Sequence, residues 1–179
     1  MDLHSDSAHD NLLSNYPSMK HLHPYWRLEY IESNLKEEKG SNPFKELPNS
    51  TDDKATRILY RGPHSYLVLN IFPYNPGHLL AVPYKEVDSL EKLSAEERAD
   101  LMETVVKGQD LLTKAISPQG FNVGFNFGCA AGAGIPKHLH CHIVPRWEGD
   151  SNFMPVIGQT RILPSALDTL WERLKEFTD

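Results

Sequence analysis

The segment KHLHCHIVPR, residues 137–146, places three histidines at every second position. Successive side chains of a β-strand point to opposite faces, so a strand here puts His138, His140 and His142 on one face. A helix would scatter these imidazoles around its circumference. The residues between the histidines are apolar and are expected to face the core: Leu139, Cys141 and Ile143. We therefore interpret the segment as a strand that carries a row of imidazoles.

The flanking sequence predicts further strands and two helices around this segment. Apolar or alternating runs between turn formers predict strands over 56–60, 65–70, 78–82 and 121–127. Ser94 and Glu97 have capping-box spacing before a long amphipathic helix that carries Leu101, Val105, Leu112 and Ala115 on one stripe. A second amphipathic helix is predicted from Leu167 through Leu170, Trp171, Leu174 and Phe177. This order predicts an α+β domain with an antiparallel sheet.

The composition bounds the class of protein. The chain has 179 residues, of which 40% are hydrophobic and 23% charged, as expected for one globular domain. Residues 1–23 are polar and unpatterned, so we interpret them as a flexible arm or a partner-binding extension before a single domain over 24–179. Residues 36–55 are charged and rich in turn formers, which predicts a loop. The formal net charge of −6 argues against a nucleic-acid-binding protein.

The lack of a recognisable targeting signal and the number of cysteines predict a cytoplasmic protein. No apolar run is long enough to span a membrane, and the first ten residues lack the layout of a signal peptide. Two cysteines, Cys129 and Cys141, do not make a disulfide framework, which fits a reducing compartment. We expect Cys141 to behave as a small core residue and Cys129 to be structural.

Three interpretations of the imidazole row stay open on the residues alone. Structural histidines are costly to bury in such number unless each finds a partner. Zinc needs nitrogens at about 2.0–2.1 Å from one point. His138 and His142 would lie about 13 Å apart along a strand, so the binding of one zinc ion by all three histidines is strained. Two of the three together with His78 could still bind it. The third interpretation is phosphoryl or nucleotidyl transfer, because imidazole is a competent nucleophile at phosphorus.

The loop before the row favours the third interpretation. It contains Gly128, Gly132 and Gly134, where backbone N–H groups can approach a phosphate closely. Lys137 and Arg146 flank the row, and each either screens phosphate charge or has an ordinary surface role, as with an Arg146 paired to a carboxylate. Most glycine-rich loops are merely turns, so this signal gains weight only from its position beside the histidines.

Several of these segments resemble one known family. Residues 138–144, followed by Pro145-Arg146, resemble the signature of the histidine-triad (HIT) family, in which histidine alternates with apolar residues. Asn70 and the run PGHLL at 76–80 resemble the second element of that family. The run 147–156 and the segment 26–31 are similar to its branch of bacterial diadenosine tetraphosphate phosphorylases.

The resemblance implies an α+β HIT-like fold with a five-stranded antiparallel sheet, and a homodimer whose sheet continues across the interface. It implies an enzyme in which His140 attacks the α-phosphorus of a nucleoside phosphate and becomes nucleotidylated. His142 and His78 match the phosphate contacts, His138 supports the geometry of the nucleophile, and Asn70 matches the ribose contact. Neither a metal nor another cofactor is expected. The remaining substrate-binding candidates are Asn126, Gly132, Gly134 and Lys137.

Two departures from the family pattern refine these expectations. Many bacterial relatives carry a Cys-x-x-Cys pair that helps to bind structural zinc, but the matching residues 41–45 contain no cysteine, so we expect no such zinc. Fhit-like members have a glutamine eleven residues before the first triad histidine, where this chain has Phe127 beside Asn126. We therefore expect Asn126 or backbone amides to replace that contact. Together with the run 147–156, this favours inorganic phosphate over water as acceptor.

Overall fold

The structure is a computed structural model that describes residues 42–150 and 166–178. The proposed arm at 1–23, the segment 24–41 and most of the run 147–156 lie outside the described residues. The strands are β1 Ile58–Arg61, β2 Ser65–Leu69, β3 Leu79–Pro83, β4 Gly120–Phe125 and β5 Cys141–Arg146. The helices are α1 Pro43–Glu46, α2 Asp53–Thr56, α3 Ala95–Ile116 and α4 Leu167–Lys175.

The five strands form one sheet in the order β1-β2-β3-β5-β4, and every neighbouring pair is antiparallel. The predicted α+β class and the five-stranded antiparallel sheet are confirmed. Strands β1 to β4 begin and end within two residues of their predicted bounds. Helices α3 and α4 occupy the predicted places, the first between β3 and β4 and the second after β5.

The predicted strand over 137–146 is wrong in its first part, because β5 begins only at Cys141. The backbone before it is bonded elsewhere. His138 N donates to Ile135 O at 3.2 Å, and Leu139 N donates to Val87 O at 2.6 Å. Only His142 of the three triad histidines therefore lies in the sheet ladder, opposite Leu80 of β3.

The predicted loop over 36–55 is wrong over the part that the structure describes, which contains α1, α2 and a 3₁₀ turn over Leu47–Asn49. Two N-caps explain these short helices. Asn42 Oδ1 accepts a hydrogen bond from Phe44 N, and Asp52 Oδ1 accepts one from Ala55 N. Residues that favour turns are also the residues that begin helices, and here they do the latter.

Helix α3 covers one face of the sheet. Its capping box is confirmed, since Ser94 accepts from Glu97 N and the Glu97 carboxylate accepts from Ser94 N. Gly108 allows a close approach, because a Cβ there would lie 2.7 Å from Ile143 Cδ1. The whole predicted stripe is buried: Leu101, Val105, Leu112 and Ala115. Among the described residues, no helix is both long and apolar enough to cross a membrane.

Helix α4 packs beside β1. Leu170, Trp171 and Leu174 are buried as predicted. Phe177 lies beyond the end of α4 and is 41% exposed, so its predicted place on the buried stripe is wrong. The indole N–H of Trp171 donates to Ile58 O, which ties α4 to the outer strand of the sheet.

Alternation along the strands divides the core between the two faces. Leu139, Cys141 and Ile143 join the larger cluster under α3, as predicted. The opposite face carries a smaller cluster of buried side chains: Phe44, Ile58, Tyr66, Val68, Leu80 and Val82. His142 is on this second face, because it alternates with Cys141 and Ile143 along β5.

Candidate active site

The structure brings the four predicted histidines together on the face opposite α3. His78 immediately precedes β3, which lies beside β5. The ring centroids of His78 and His142 are 5.1 Å apart, and those of His140 and His142 are 4.9 Å apart. His142 is half-buried, whereas His78, His138 and His140 are buried at 0%, 1% and 6% exposure.

His140 has a fixed tautomer. Its Nδ1 lies 2.9 Å from the backbone oxygen of His138. A carbonyl oxygen only accepts hydrogen bonds, so Nδ1 carries the proton and Nε2 of the neutral ring keeps its lone pair. Burial is the main cause that lowers the pKa of His140 below its usual range. His140 therefore presents an unprotonated, nucleophilic nitrogen near neutral pH.

His142 presents the opposite group, an N–H donor. The backbone N–H of Tyr74 donates to His78 Nδ1 at 3.1 Å, so the proton of neutral His78 is on Nε2. That nitrogen lies 2.9 Å from His142 Nδ1 and donates to it, which leaves the proton of neutral His142 on Nε2. Burial, followed by the charges of His142 and His140, lowers the pKa of His78 to about 3.

Asn126 lies beside the donor end of this series of hydrogen bonds, and its predicted contact with substrate stays a prediction. Its Nδ2 lies 3.3 Å from His142 Nε2. An N–H at His142 favours the amide oxygen as its partner, and the two ends of an amide exchange by a half-turn of the side chain. Asn126 is half-buried. It therefore lies where a group bonded to His142 would be placed.

The placement of His78 does not agree with a direct contact to phosphate. The residue is fully buried, and both ring nitrogens are used by Tyr74 and His142. It orients His142 from behind. Asn70 is similarly engaged, because its Oδ1 accepts from Phe72 N and its Nδ2 lies 3.2 Å from His78 Nδ1. The ribose contact by Asn70 stays a prediction.

His138 holds the ring of His140 through its backbone oxygen and is itself held on both sides. Its Nε2 donates to Pro83 O at 2.8 Å, so its Nδ1 accepts from Asn42 Nδ2 at 2.9 Å. The Phe44 ring packs on both His138 and His140, with centroids 5.7 and 5.0 Å away. Burial is the largest cause that lowers the pKa of His138.

Sequence reasoning missed three residues of this site. Asn42 and Phe44 lie in the segment interpreted as a loop, and Tyr74 lies in a turn, where its ring stacks on His142 at 5.6 Å. The only local signal was the Asn-Pro pair at 42–43, which is typical of a helix start. Nothing in the spacing connects Asn42 with His138, which is 96 residues away.

The glycine-rich loop uses several of its own N–H groups. It forms a 3₁₀ turn over Cys129–Ala131, and Gly132 follows with a φ of 88°. The N–H groups of Ala131 and Ala133 donate to Gly128 O, and that of Gly132 donates to Cys129 O. These three groups are engaged within the loop. Phosphate binding by Gly132, Gly134 and the exposed Lys137 stays a prediction.

The far end of β5 has a structural role. Arg146 forms two hydrogen bonds with the Asp150 carboxylate, at 2.6 and 2.9 Å, and a third with Asn122. The carboxylate alternative for Arg146 is thus confirmed. Trp147 Nε1 donates to Ser117 O at the end of α3, at 3.3 Å, so the indole anchors the chain there.

The two cysteines differ in their surroundings. Cys141 is fully buried, which raises the pKa of its thiol to about 11, and it packs as a small core residue as predicted. Cys129 is exposed in the glycine-rich loop. No group of three or more His, Cys, Asp or Glu side chains suited to a metal ion is present within 42–150 and 166–178.

The fold and the site define a class of protein. The antiparallel sheet of an α+β fold carries neutral histidines, one with an unprotonated nitrogen and its neighbour with an N–H donor, a combination that can support nucleotidyl transfer. The family model for the HIT domain matches residues 51–149. The chain belongs to the HIT family.

Individual relatives agree with this assignment. The chain is 42% identical over 150 residues to the AP-4-A phosphorylase of Mycobacterium tuberculosis, covering 80% of this chain and 76% of that protein. It is 35% identical to the asymmetrical bis(5'-nucleosyl)-tetraphosphatase of Schizosaccharomyces pombe, over 59% of this chain and 58% of the relative. The crystal structure of a Hit-like protein from Bartonella henselae superposes with a TM-score of 0.58 at 25% identity, covering 74% and 91% of the two chains.

Proposed function

We propose that this protein cleaves dinucleoside polyphosphates through a nucleotidyl-histidine, and that it phosphorolyses diadenosine tetraphosphate to ADP and ATP. The observation that carries the proposal is the fixed tautomer of His140, whose Nε2 is free of a proton because Nδ1 donates to His138 O. The similarity to a protein named AP-4-A phosphorylase supports the choice of substrate.

The reaction proceeds in two displacements. The lone pair of His140 Nε2 attacks an α-phosphorus, the new N–P bond forms, and the P–O bond to the departing ATP breaks. An oxygen of inorganic phosphate then attacks the same phosphorus, the N–P bond breaks, and ADP leaves. His140 is restored with its lone pair. Splitting one difficult step into two easier ones is the general benefit of such an intermediate.

The neighbouring groups stabilise charge during both displacements. The N–H of His142 Nε2 is a fixed donor beside His140, and Asn126 lies 3.3 Å from that nitrogen. Donors held in place before the reaction stabilise developing negative charge on phosphoryl oxygens without reorganisation. His78 contributes by keeping the proton of His142 on this side of the ring.

Turnover of diadenosine tetraphosphate with and without inorganic phosphate tests the proposal. We expect multiple turnovers to give ADP and ATP in equal amounts only when phosphate is present, as followed by anion-exchange chromatography; without phosphate, at most one ATP per active site should be released. Acid-labile radiolabel retained on the protein after mixing with labelled substrate, in the absence of phosphate, would report the nucleotidyl-histidine. Binding of the nucleotide without any turnover would instead indicate a nucleotide sensor.

Hydrolysis is the second candidate, because the related fission-yeast protein is named as an asymmetrical tetraphosphatase. Water would then take the nucleotidyl group, and the products would be AMP and ATP. The two candidates share the first displacement at His140. AMP formed at the same rate in phosphate-free buffer would assign the protein to this alternative.

We also propose that two copies pair along β4, which would continue the sheet across the interface. Strand β4 is an outer strand of the sheet. Val123 within it is 43% exposed, and Phe127 just after it is 49% exposed. The other outer strand is covered, since Trp171 and Lys175 of α4 donate to carbonyls of β1. An open outer strand favours pairing with another chain. Sedimentation equilibrium of the protein and of a Val123→Lys variant tests this, because a dimer that uses β4 should be weakened by the lysine.

The cytoplasm is the location that best fits the proposed reaction. Both cysteines are free thiols, and Cys129 is exposed. Exposed thiols persist in a reducing compartment. Fractionation of the producing cells, with the protein detected by antibody, tests this location.

A further inference from the structure

The side chain of Asn42 connects the carboxylate of Glu86 with the imidazole of His138. Its Nδ2 lies 2.9 Å from Glu86 Oε1 and 2.9 Å from His138 Nδ1. An amide nitrogen has two hydrogens, so one is available for each acceptor. The amide oxygen accepts from Phe44 N at the start of α1. Every hydrogen-bonding atom of this half-buried side chain is therefore engaged.

These contacts determine the protonation state of His138. A donor at Nδ1 requires the lone pair of that nitrogen, and the proton on Nε2 is bonded to Pro83 O. Both contacts fit only the neutral ring. The backbone oxygen of the same residue accepts the Nδ1–H of His140. Asn42 is thus two contacts away from the nucleophile.

The charged and titratable groups that face His138 are Glu86, Lys45 and His140. Glu86 is ionised, because hydrogen bonds from Asn42 and then from Lys45 lower its pKa. A carboxylate in direct contact with Nδ1 would attract a second proton onto His138 and make it a cation. The amide of Asn42 occupies that contact, and it satisfies the carboxylate and the imidazole without supplying a proton.

A neutral His138 matters because of the charge that forms beside it. When His140 Nε2 attacks phosphorus, the ring becomes a substituted imidazolium and gains a positive charge. A cation on the adjacent histidine would repel that charge in a poorly solvated site.

We propose that Asn42 is a positioning residue that keeps Glu86 apart from His138 and thereby holds His138 neutral behind the nucleophile. The proposal rests on the proposed function, in which His140 is the nucleophile. It assigns to α1, on the side of the sheet away from α3, a direct influence on the pH range of the reaction.

The variant Asn42→Asp separates this role from helix capping. Aspartate caps helices as well as asparagine does, so Phe44 N keeps its acceptor. The donor to His138 is replaced by a carboxylate, which should protonate the ring near neutral pH. We expect the turnover number at pH 7 to fall about tenfold or more, with little change in KM. The turnover number should recover at pH 9, because a carboxylate beside His138 raises the pKa of its ring and the extra proton is lost there.

Two matched variants control the result. Glu86→Gln keeps an oxygen that accepts from Asn42 but removes the charge, so we expect its pH profile to match the wild type. Asn49→Ala removes an exposed amide from the same segment, where Asn49 Nδ2 donates to Lys45 O and does not contact His138. Its pH profile should also be unchanged. A tenfold loss in either control would overturn the proposal.

Nuclear magnetic resonance of the protein labelled with ¹⁵N-histidine measures the protonation state of the His138 ring directly. We expect an unprotonated Nδ1 in wild-type His138 and a protonated one in Asn42→Asp at pH 7, with the resonance assigned from its loss in His138→Gln. An unaltered His138 resonance in Asn42→Asp, or an altered resonance with a wild-type pH profile, would overturn the proposal. If the wild type does not turn over diadenosine tetraphosphate, the proposed function fails, whereas the resonance still decides whether Asn42 holds His138 neutral.

Discussion

The two faces of the sheet are built from the same strands but differ in what covers them. Under α3, the face is continuously apolar and includes Leu139, Cys141 and Ile143. On the other face, a smaller apolar cluster adjoins the histidines and is covered partly by Phe44 of the four-residue α1. A long helix fills one side of the sheet, and the other side is left for polar side chains that need partners.

This difference indicates that the face under α3 provides most of the stability and that the histidine face carries the reactive groups. Polar groups on the histidine face are buried but bonded, each imidazole to a backbone group or a neighbouring side chain. Such satisfied groups contribute little net free energy of folding, whereas an unsatisfied one would be costly. Substitutions on the two faces should therefore separate loss of activity from loss of stability.

The largest expected effect is on the histidine face. His140→Ala should lower the turnover number by about 10³-fold or more, because the covalent step loses its nucleophile. Steady-state kinetics with diadenosine tetraphosphate measures this. His64→Ala is the matched control, since His64 is half-buried near Glu96 and away from the site. Activity of His140→Ala above a tenth of the wild type would show that another group is the nucleophile.

The next effect is on the face under α3. Leu67→Ala should lower the free energy of unfolding by about 2–5 kcal/mol, because Leu67 is fully buried in the larger cluster and leaves a cavity. Turnover per folded molecule should stay close to that of the wild type. Urea unfolding measures the first quantity. Val106→Ala, at a position 55% exposed on α3, should change it by less than about 0.5 kcal/mol.

The third prediction concerns acid and again the histidine face. The pKa of His78 falls from 6.5 unfolded to about 3 folded, so the unfolded chain binds the additional proton as the pH drops below 6.5. The contribution of neutral His78 to the free energy of unfolding is present above pH 6.5 and is lost as the pH falls towards 3. Between pH 7 and 5 this amounts to about 2 kcal/mol of the free energy of unfolding. Urea unfolding across this range checks the prediction, and a flat profile would contradict a neutral, buried His78.

The smallest expected effect concerns the ring of Tyr74. Its centroid lies 4.7 Å from that of His78 and 5.6 Å from that of His142, so it holds the pair that aims the donor. Tyr74→Leu should lower the turnover number about three- to tenfold, in line with the free energy of an aromatic pair. Tyr74→Phe keeps the ring and serves as control. An equal loss in both variants would assign the effect to the hydroxyl instead.

Much of the fold was predictable from the sequence. Alternation predicted four strands to within two residues, and the Ser94–Glu97 box and apolar stripe predicted α3. These signals are local, since each depends on residues a few positions apart. The start of β5 was missed because His138 and Leu139 are bonded to Ile135 and Val87, which no periodicity reveals.

The sequence by itself determined which imidazoles are at the site and that the residues between them face the core. Period-two alternation along 138–143 separates imidazoles from apolar residues, and this depends only on the geometry of an extended chain. The family signature in the same residues then indicated the kind of chemistry. Both follow from residue identity and spacing, without any knowledge of long-range contacts.

Only the tertiary structure decided which nitrogen of each histidine carries the proton. A neutral imidazole has one donor and one acceptor nitrogen, and the partner across the fold selects between them. Pro83 O, Tyr74 N and Asn42 Nδ2 make that selection for His138 and His78, and two of these three contacts cross more than fifty positions of the chain. The donor at His142 exists as such because the sheet brings His78 beside it, whereas the proton of His140 is placed locally by the carbonyl of His138.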